Sequence, residues 1–318
     1  MIFQQATDML AHRKELDPIS NAVQGVIRAA YRAAGPAGRP VKNALYGTWF
    51  GHPLHPSLTD LAIGAWATAS VLDVLDSVTR YGALSRCADG ALAFGTMAGM
   101  AAMASGLTDA QHIPDPPRRI GVLHGIMNVG LVFLQAASLT QRARGRRGTG
   151  RVMSLLGLGG LLVSSYLGGE LVERYRIGVN RAPQDGIPMA FQPVMALADL
   201  PENQPRQVQV SGVPVVLVRQ GDRIYAMHAT CTHMSGNLAQ GMLVDGAIQC
   251  PLHGSRFALD DGHVVDGPAS FAERCLATRV RNGQIEVGPG EGLGRCQHEP
   301  VSVQAPEAQE MVGAGVPR

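Results

Sequence analysis

The chain has 318 residues, enough for two domains, and its formal net charge of +2, with no basic stripe carrying interleaved aromatics, excludes a nucleic-acid-binding class. Its five cysteines, Cys87, Cys231, Cys250, Cys275 and Cys296, are odd in number and do not read as a disulfide framework in a chain of this size. Met1 to Leu10 lack a basic segment followed by an apolar core, so the chain reads as non-exported and thiol-permissive.

Residues 1–43 read as a polar, partly amphipathic helical lead-in. Val23, Val26, Ile27 and Ala30 recur at helical spacing, with Arg28 and Arg32 on another side, until Gly35, Pro36, Gly38 and Pro40 break the pattern. Such a helix lies on a neighbouring domain or on a membrane surface.

Residues 44–177 contain segments of membrane length. Arg119 and Arg142 enclose 22 uncharged residues, Asp89 and Asp109 enclose 19, and Arg151 and Glu170 enclose 18. A bilayer core takes about 17–25 mostly apolar residues per helix. A fourth candidate starts near Pro56 but leaves only 12 uncharged residues between Asp60 and Asp73. Those two aspartates are expected near the helix ends, where the insertion cost of about 2.5–3.5 kcal/mol for a central charge falls. The expectation is four transmembrane helices in a compact bundle whose Gly and Ala residues allow close backbone approach; a soluble, buried helical core is the alternative. Arg142, Arg144, Arg146, Arg147 and Arg151 on one side nearly balance Arg39, Lys42, Arg118, Arg119, Arg174, Arg176 and Arg181 on the other, so the positive-inside rule does not set the orientation.

Polar residues gather on one expected face of this bundle. His52, His55 and Asp60 start the first helix, Asp109 and His112 follow the second, His124 lies early in the third, and Glu170 and Glu173 end the fourth. Ionisable groups at membrane depth are costly and frequently functional. His52, His55, His112, His124 and Glu170 therefore make a possible second site for haem b, another metal or a quinone. Helix capping and pairing with arginines is the plainer alternative.

A breaker-rich linker, residues 178–188, leads to residues 189–290. There, short β-branched runs separated by Gly-Asp, Asp-Gly and Asn-Gly turns predict a small all-β domain. Residues 291–318 lack periodicity and read as a flexible tail. The fold class expected is thus an all-α transmembrane four-helix bundle followed by an all-β domain.

The β domain contains Cys231-Thr232-His233 and, after 16 residues, Cys250-Pro251-Leu252-His253-Gly254-Ser255. Each loop pairs one thiol with one imidazole. Placing both thiolates on one iron and both imidazoles on the other gives a [2Fe–2S] centre of Rieske type. A zinc site made of two Cys and two His is the alternative, although zinc fingers usually separate the Cys pair from the His pair. His228 and His263 sit outside both loops and read as turn or surface residues. Cys87 reads as an apolar filler.

Nearly all of 190–290 resembles the Rieske ferredoxin family, through VPVVLVRQGDRIYAMHATCTHMSGNLAQG, AIQCPLHGSRFAL and DGHVVDGPA. The resemblance implies a three-sheet β-sandwich with the cluster at its tip, and loops shaped by Gly236, Gly241, Gly254 and Pro268. It also marks departures. Rieske proteins of quinol-oxidising complexes carry an extra cysteine in each loop, where this chain has Gly236 and Leu252. Phe257 replaces a hydrogen-bonding tyrosine, while Ser255 matches their hydroxyl donor. The pattern implies the ferredoxin branch and a low potential.

Residues 15–182, with LYGTWFGHPLHPSLTDLAIGAWATASVLD, GLTDAQ and LGGELVERYRIGVNR, resemble a little-studied family of four-helix bacterial membrane proteins. That resemblance implies topology alone, in a bacterial inner membrane.

No large domain follows for a mononuclear iron, and no nucleotide fingerprint sits between a strand and a helix. The expected role is an electron-transfer component rather than a complete catalyst. It would exchange single electrons with donor and acceptor proteins or a quinone. A membrane redox sensor, or the ferredoxin component of a multi-subunit oxygenase, are the alternatives. Lack of an export signal and of loop cysteines suggests that the Rieske domain is cytoplasmic.

Overall fold

The apolar runs fold as helices and the alternating runs as strands. The structure, a computed structural model, describes residues 2–290 together with Cys296 and His298. The helices are α1 (Ile2–His12), α2 (Asp17–Ala33), α3 (Gly38–Tyr46), α4 (Leu54–Thr79), α5 (Gly82–Asp109), α6 (Pro117–Ala143) and α7 (Arg147–Gly169). A π-helical turn, Glu170–Arg174, continues α7.

The lead-in is three helices rather than one. The break at Gly35 is a single short turn, and helix resumes at Gly38 through Pro40. The apolar stripe read from the sequence packs in part: Val23 and Ile27 are half-buried on the same face as buried Ser20 and Gln24, whereas Val26 and Ala30 are exposed. Polar bonds decide the orientation. Gln24 Nε2 donates to the carbonyls of Ala110 (2.8 Å) and Ile113 (3.3 Å). Arg119 grips Asp17 through Nε (2.7 Å) and Nη2 (2.9 Å) and donates to the Ala11 carbonyl.

In the bundle, α4 packs on α5 and α6 on α7. Trp66, Ala69, Leu92, Leu131, Val132 and Leu161 form its centre. Small residues let the backbones close up: a Cβ on Gly95 would sit 2.6 Å from the Trp66 ring, and one on Gly160 would sit 2.8 Å from Leu131. All four helices are long and apolar enough to cross a membrane, and at most 39% of the apolar window of any of them is buried. Val71, Val74, Phe94, Met97, Phe133, Leu156 and Leu162 point outward. A soluble helical core would cover such residues, so this surface argues against the soluble alternative. Cys87 is exposed on α5 and fills no core.

Asp73 departs from expectation. It is buried, not hydrated at a helix end, and pairs with Arg142, whose Nη1 also reaches Asp89 at 3.0 Å. Arg151 Nε lies 3.2 Å from Asp73, and further pairs join Arg151 to Asp76 and Arg147 to Asp89. Three of the five arginines near the third loop are therefore spent on aspartates of α4 and α5.

The β domain has β1 (Gln192–Ala196), β2 (Arg206–Val210), β3 (Val213–Gln220), β4 (Arg223–His228), β5 (Met242–Val244), β6 (Ala247–Gln249), β7 (Arg256–Ala258), β8 (Val264–Asp266), β9 (Cys275–Arg281) and β10 (Gln284–Gly288). The strand orders are β1-β10-β9-β4-β3-β2 and β5-β6-β7-β8, and the first order holds two of the three expected sheets joined edge to edge. The reason is β9, which pairs with β4 through Cys275 and Leu276 and with β10 from Ala277 to Arg281, fusing two sheets into one. Central β4 is covered on both faces: Tyr225 and Met227 enter one core, Ile224 and Ala226 the other. The same burial overturns the surface reading of His228, which is fully buried at the end of β4, whereas His263 is exposed.

Two cysteines also depart from the thiol reading. Cys275 and Cys296 form a disulfide. Spacing could not reveal it, because Cys296 lies in the segment read as a tail; apart from Cys296 and His298, that segment falls outside the described residues.

Candidate metal centre

Two turns of the β domain bring four donor side chains to one tip. The first follows β4 and is closed by Cys231 N donating to Gly236 O (2.8 Å) and Ser235 N to Cys231 O (2.9 Å). The second joins β6 to β7 and is closed by Cys250 N donating to Ser255 O (2.8 Å) and Gly254 N to Cys250 O (3.1 Å). Gly254 adopts φ +79°, a left-handed conformation that glycine takes without strain. Gly236 is required for another reason: a Cβ there would lie 2.6 Å from Cys250 Sγ and 3.1 Å from Leu252 Cγ. The two positions that carry cysteines in the quinol-oxidising proteins therefore face each other, here as Gly and Leu.

The donors fall into two pairs. The thiols of buried Cys231 and Cys250 share a hydrogen bond, which pushes Cys231 up and holds Cys250 down. The rings of His233 and His253 have centroids 5.0 Å apart. Burial, with His112 and His253 beside it, pushes His233 down to about 3, and burial also lowers His253. Both imidazoles are thus neutral, as metal ligation requires. His233 Nδ1 is buried with no hydrogen-bond partner. Among the described residues no three His, Cys, Asp or Glu side chains converge on one ion. Two pairs of donors around an orphaned ring nitrogen fit a two-iron centre.

Hydrogen bonds behind the tip hold the loops. Ser255 Oγ, fully buried, accepts from Ala269 N at 2.9 Å. Thr232, between the first two donors, gives its backbone N–H to Glu273 Oε1 at 2.7 Å and its hydroxyl to Phe271 O at 2.8 Å. Glu273 is wholly buried and its second oxygen has no partner, so burial pushes its carboxyl well above the ordinary range. Sequence reading missed Glu273, since only the fold brings it 41 positions back to the loop.

The histidine edge faces the helical domain. His112 lies against both rings, with centroid distances of 5.7 Å to His233 and 5.1 Å to His253. Tyr46 OH is 3.0 Å from His112 Nε2. Around this contact Ser270 Oγ donates to Tyr46 O (3.0 Å), Gly267 N donates to Asn43 Oδ1 (3.0 Å), and Arg39 pairs with Asp266 (3.1 Å). A Cβ on Gly267 would sit 2.5 Å from the Tyr46 ring.

The five residues expected as one second site are dispersed. His112 joins the histidine edge. His52 is exposed, with its ring 5.6 Å from Phe271. His55 and His124 meet inside the bundle, centroids 6.4 Å apart. Glu170 accepts from Thr7 Oγ1 (3.2 Å) and Tyr166 OH (3.2 Å) and pairs with Arg174, in keeping with the capping and pairing alternative.

Comparison with known proteins gives two family matches. Residues 190–279 match the family described as "Rieske [2Fe-2S] domain", and residues 51–181 match "Predicted membrane protein (DUF2231)". The chain is similar to the anthranilate 1,2-dioxygenase ferredoxin subunit of Burkholderia cepacia, 30% identical over 100 residues that make up 31% of this chain and 93% of the relative. It is similar to ferredoxin CarAc of Metapseudomonas resinovorans, 32% identical over 30% of this chain and 89% of the relative. Among solved structures, the ferredoxin of carbazole 1,9a-dioxygenase from Nocardioides aromaticivorans IC177 is 30% identical and covers 32% of this chain and 99% of that one, at a TM-score of 0.31.

Proposed function

The chain belongs to the Rieske [2Fe–2S] family through its C-terminal domain, and from that premise we propose that it is a membrane-anchored carrier of single electrons whose cluster is held by Cys231, His233, Cys250 and His253. The observation that carries this reading is the pairing at the tip: two thiols in contact, two neutral imidazoles side by side. Such a cluster supplies reversible one-electron chemistry. The four side chains set its charge, because two thiolates and two neutral imidazoles leave the oxidised centre about two units less negative than four thiolates would. Burial keeps His233 neutral and water away from both sulfurs. The anchor is the four-helix domain, whose outward apolar faces suit lipid.

The test is low-temperature EPR of the dithionite-reduced full chain in detergent, followed by potentiometric titration of the same signal. We expect a rhombic signal with an average g below the free-electron value. The midpoint should fall in the lower half of the range of about −150 to +300 mV. Phe257, fully buried, offers no hydroxyl, which leaves Ser255 as the single such donor of the two that support a high potential. An EPR-silent protein containing zinc overturns the cluster, and a midpoint in the upper half overturns the low potential.

Donor and acceptor are proposed as a reductase or membrane donor on one side and an acceptor protein on the other. Similarity to a dioxygenase ferredoxin subunit supports a variant of this reading, in which the chain serves an oxygenase on another polypeptide. For the side of the membrane, the missing loop cysteines argue for the cytoplasm, but the Cys275–Cys296 bond argues against it, because disulfides are rare in the reducing cytosol. We propose the oxidising face. Protease added to intact spheroplasts should then release the β domain; full protection would place it inside.

A further inference from the structure

The bundle contains a pair of histidines that the electron-carrier reading does not use. His55 near the start of α4 and His124 near the start of α6 meet across the seam between the α4–α5 and α6–α7 hairpins, with ring planes at 88°. Each is locked in one tautomer. His55 Nδ1 is 2.8 Å from the Ala102 carbonyl, and His124 Nδ1 is 2.9 Å from the Ser164 carbonyl and 3.1 Å from Ser164 Oγ. A carbonyl only accepts, so both Nδ1 atoms carry the proton and both Nε2 atoms present a lone pair. Metal-ligating histidines are commonly oriented by just such a bond from the other ring nitrogen. Room is made for the rings by glycine: a Cβ on Gly106 would lie 2.7 Å from His55, and one on Gly168 would lie 3.1 Å from His124.

The spacing is that of two imidazoles on opposite sides of one metal ion. Two metal–nitrogen bonds of about 2.0–2.1 Å, extended to the ring centres, span roughly 6.3 Å; the observed separation is 6.4 Å. His55 Nε2 has no hydrogen-bond partner among the described residues. His124 Nε2 accepts from Asn128 Nδ2 at 3.0 Å, a bond that ligation would replace. No third His, Cys, Asp or Glu joins them among the described residues. A bare ion held by two nitrogens would lack most of its usual protein ligands, whereas haem iron brings four equatorial nitrogens and needs only the two axial ones.

We propose that His55 and His124 are the axial ligands of a haem within the bundle, and that this haem exchanges electrons with the Rieske cluster. The route is short. His55 packs on Gly106, six residues before His112 along α5 and the turn that follows it, about 9 Å of helical rise. His112 in turn touches both His233 and His253. One electron leaves the reduced cluster and ferric haem iron becomes ferrous, with no bond made or broken. The haem site stands on the bundle alone; its pairing with the cluster rests on the electron-carrier reading.

The experiment is an optical spectrum and a pyridine haemochrome assay on the full chain, expressed with a haem precursor and purified in detergent, with EPR of the cluster on the same sample. A Soret band at about one haem per chain is expected. His55→Ala and His124→Ala should each lose it while keeping the cluster signal, and Asn128→Ala should retain it. Protein with the cluster signal but no haem, or with bound quinone in place of haem, overturns the proposal, as does haem retained equally in both histidine variants. Haem with no cluster signal upholds the site and overturns the carrier reading instead.

Discussion

A Cys250→Ser chain purified from membranes is expected to contain no cluster iron and to give no EPR signal on reduction, while melting as a folded protein. The loss is complete rather than graded because a serine hydroxyl is a poor substitute for thiolate at iron, and because each iron has only two protein donors to lose. The fold survives because Cys250 is one small member of a core that also holds Val216, Met227, Leu238, Ile248, Phe257 and Leu259. The turn itself is closed by backbone bonds from Cys250 N to Ser255 O and from Gly254 N to Cys250 O, which serine preserves. Iron analysis with EPR checks this. A rhombic signal at wild-type iron content would remove Cys250 from the ligand set.

Replacing Arg142 with leucine is expected to destabilise the helical domain by about 3–5 kcal/mol, the usual cost of leaving a buried charge without its partner. Asp73 and Arg142 are 3% and 2% exposed at their side chains, so water cannot take over the pairing. Arg151 still reaches Asp73 at 3.2 Å, but from a more exposed position. The arginine also holds Asp89 (3.0 Å) and Ser138 Oγ (3.2 Å), and these lose a donor together. The double change Asp73→Asn with Arg142→Gln should cost less than Arg142→Leu alone, since no charge is left stranded. Thermal unfolding in detergent of the two variants beside the parent measures the difference. Equal melting of Arg142→Leu and the parent would show that the pair contributes nothing.

What could be read from the sequence was whatever is local. Cys231 with His233, and Cys250 with His253, are two and three positions apart, so one turn each brings them together and spacing alone nominates the candidate centre. Helices α4 to α7 follow from uncharged length, and the strands follow from alternation between Gly-bearing turns. What could not be read depends on long-range closure. Glu273 reaches Thr232 only because the segment before β9 passes under the first loop. His228 looks like a turn residue until β4 is found between β3 and β9 with both faces covered. Asp73 looks like a helix-end charge until Arg142 arrives from two helices away. The polar residues of the bundle did lie toward one end, yet they divide by partner. His112 goes to the cluster edge, His55 and His124 to each other, and Glu170 to Thr7, Tyr166 and Arg174. Helical periodicity carries no information on which of these partners wins.

The contact of His112 with the two ring donors has a consequence for kinetics. A freely diffusing carrier meets its partner in a second-order encounter, with a rate that rises with concentration and responds to ionic strength. Here the donor edge already rests on a domain of the same polypeptide, through Tyr46, Asn43 and Arg39 as well as His112. On the proposed reading, exchange across that contact would be first-order, and dilution would leave its rate unchanged, because a tether replaces bulk concentration with a fixed effective one. A soluble partner, by contrast, must compete with an attached neighbour for the same histidine edge.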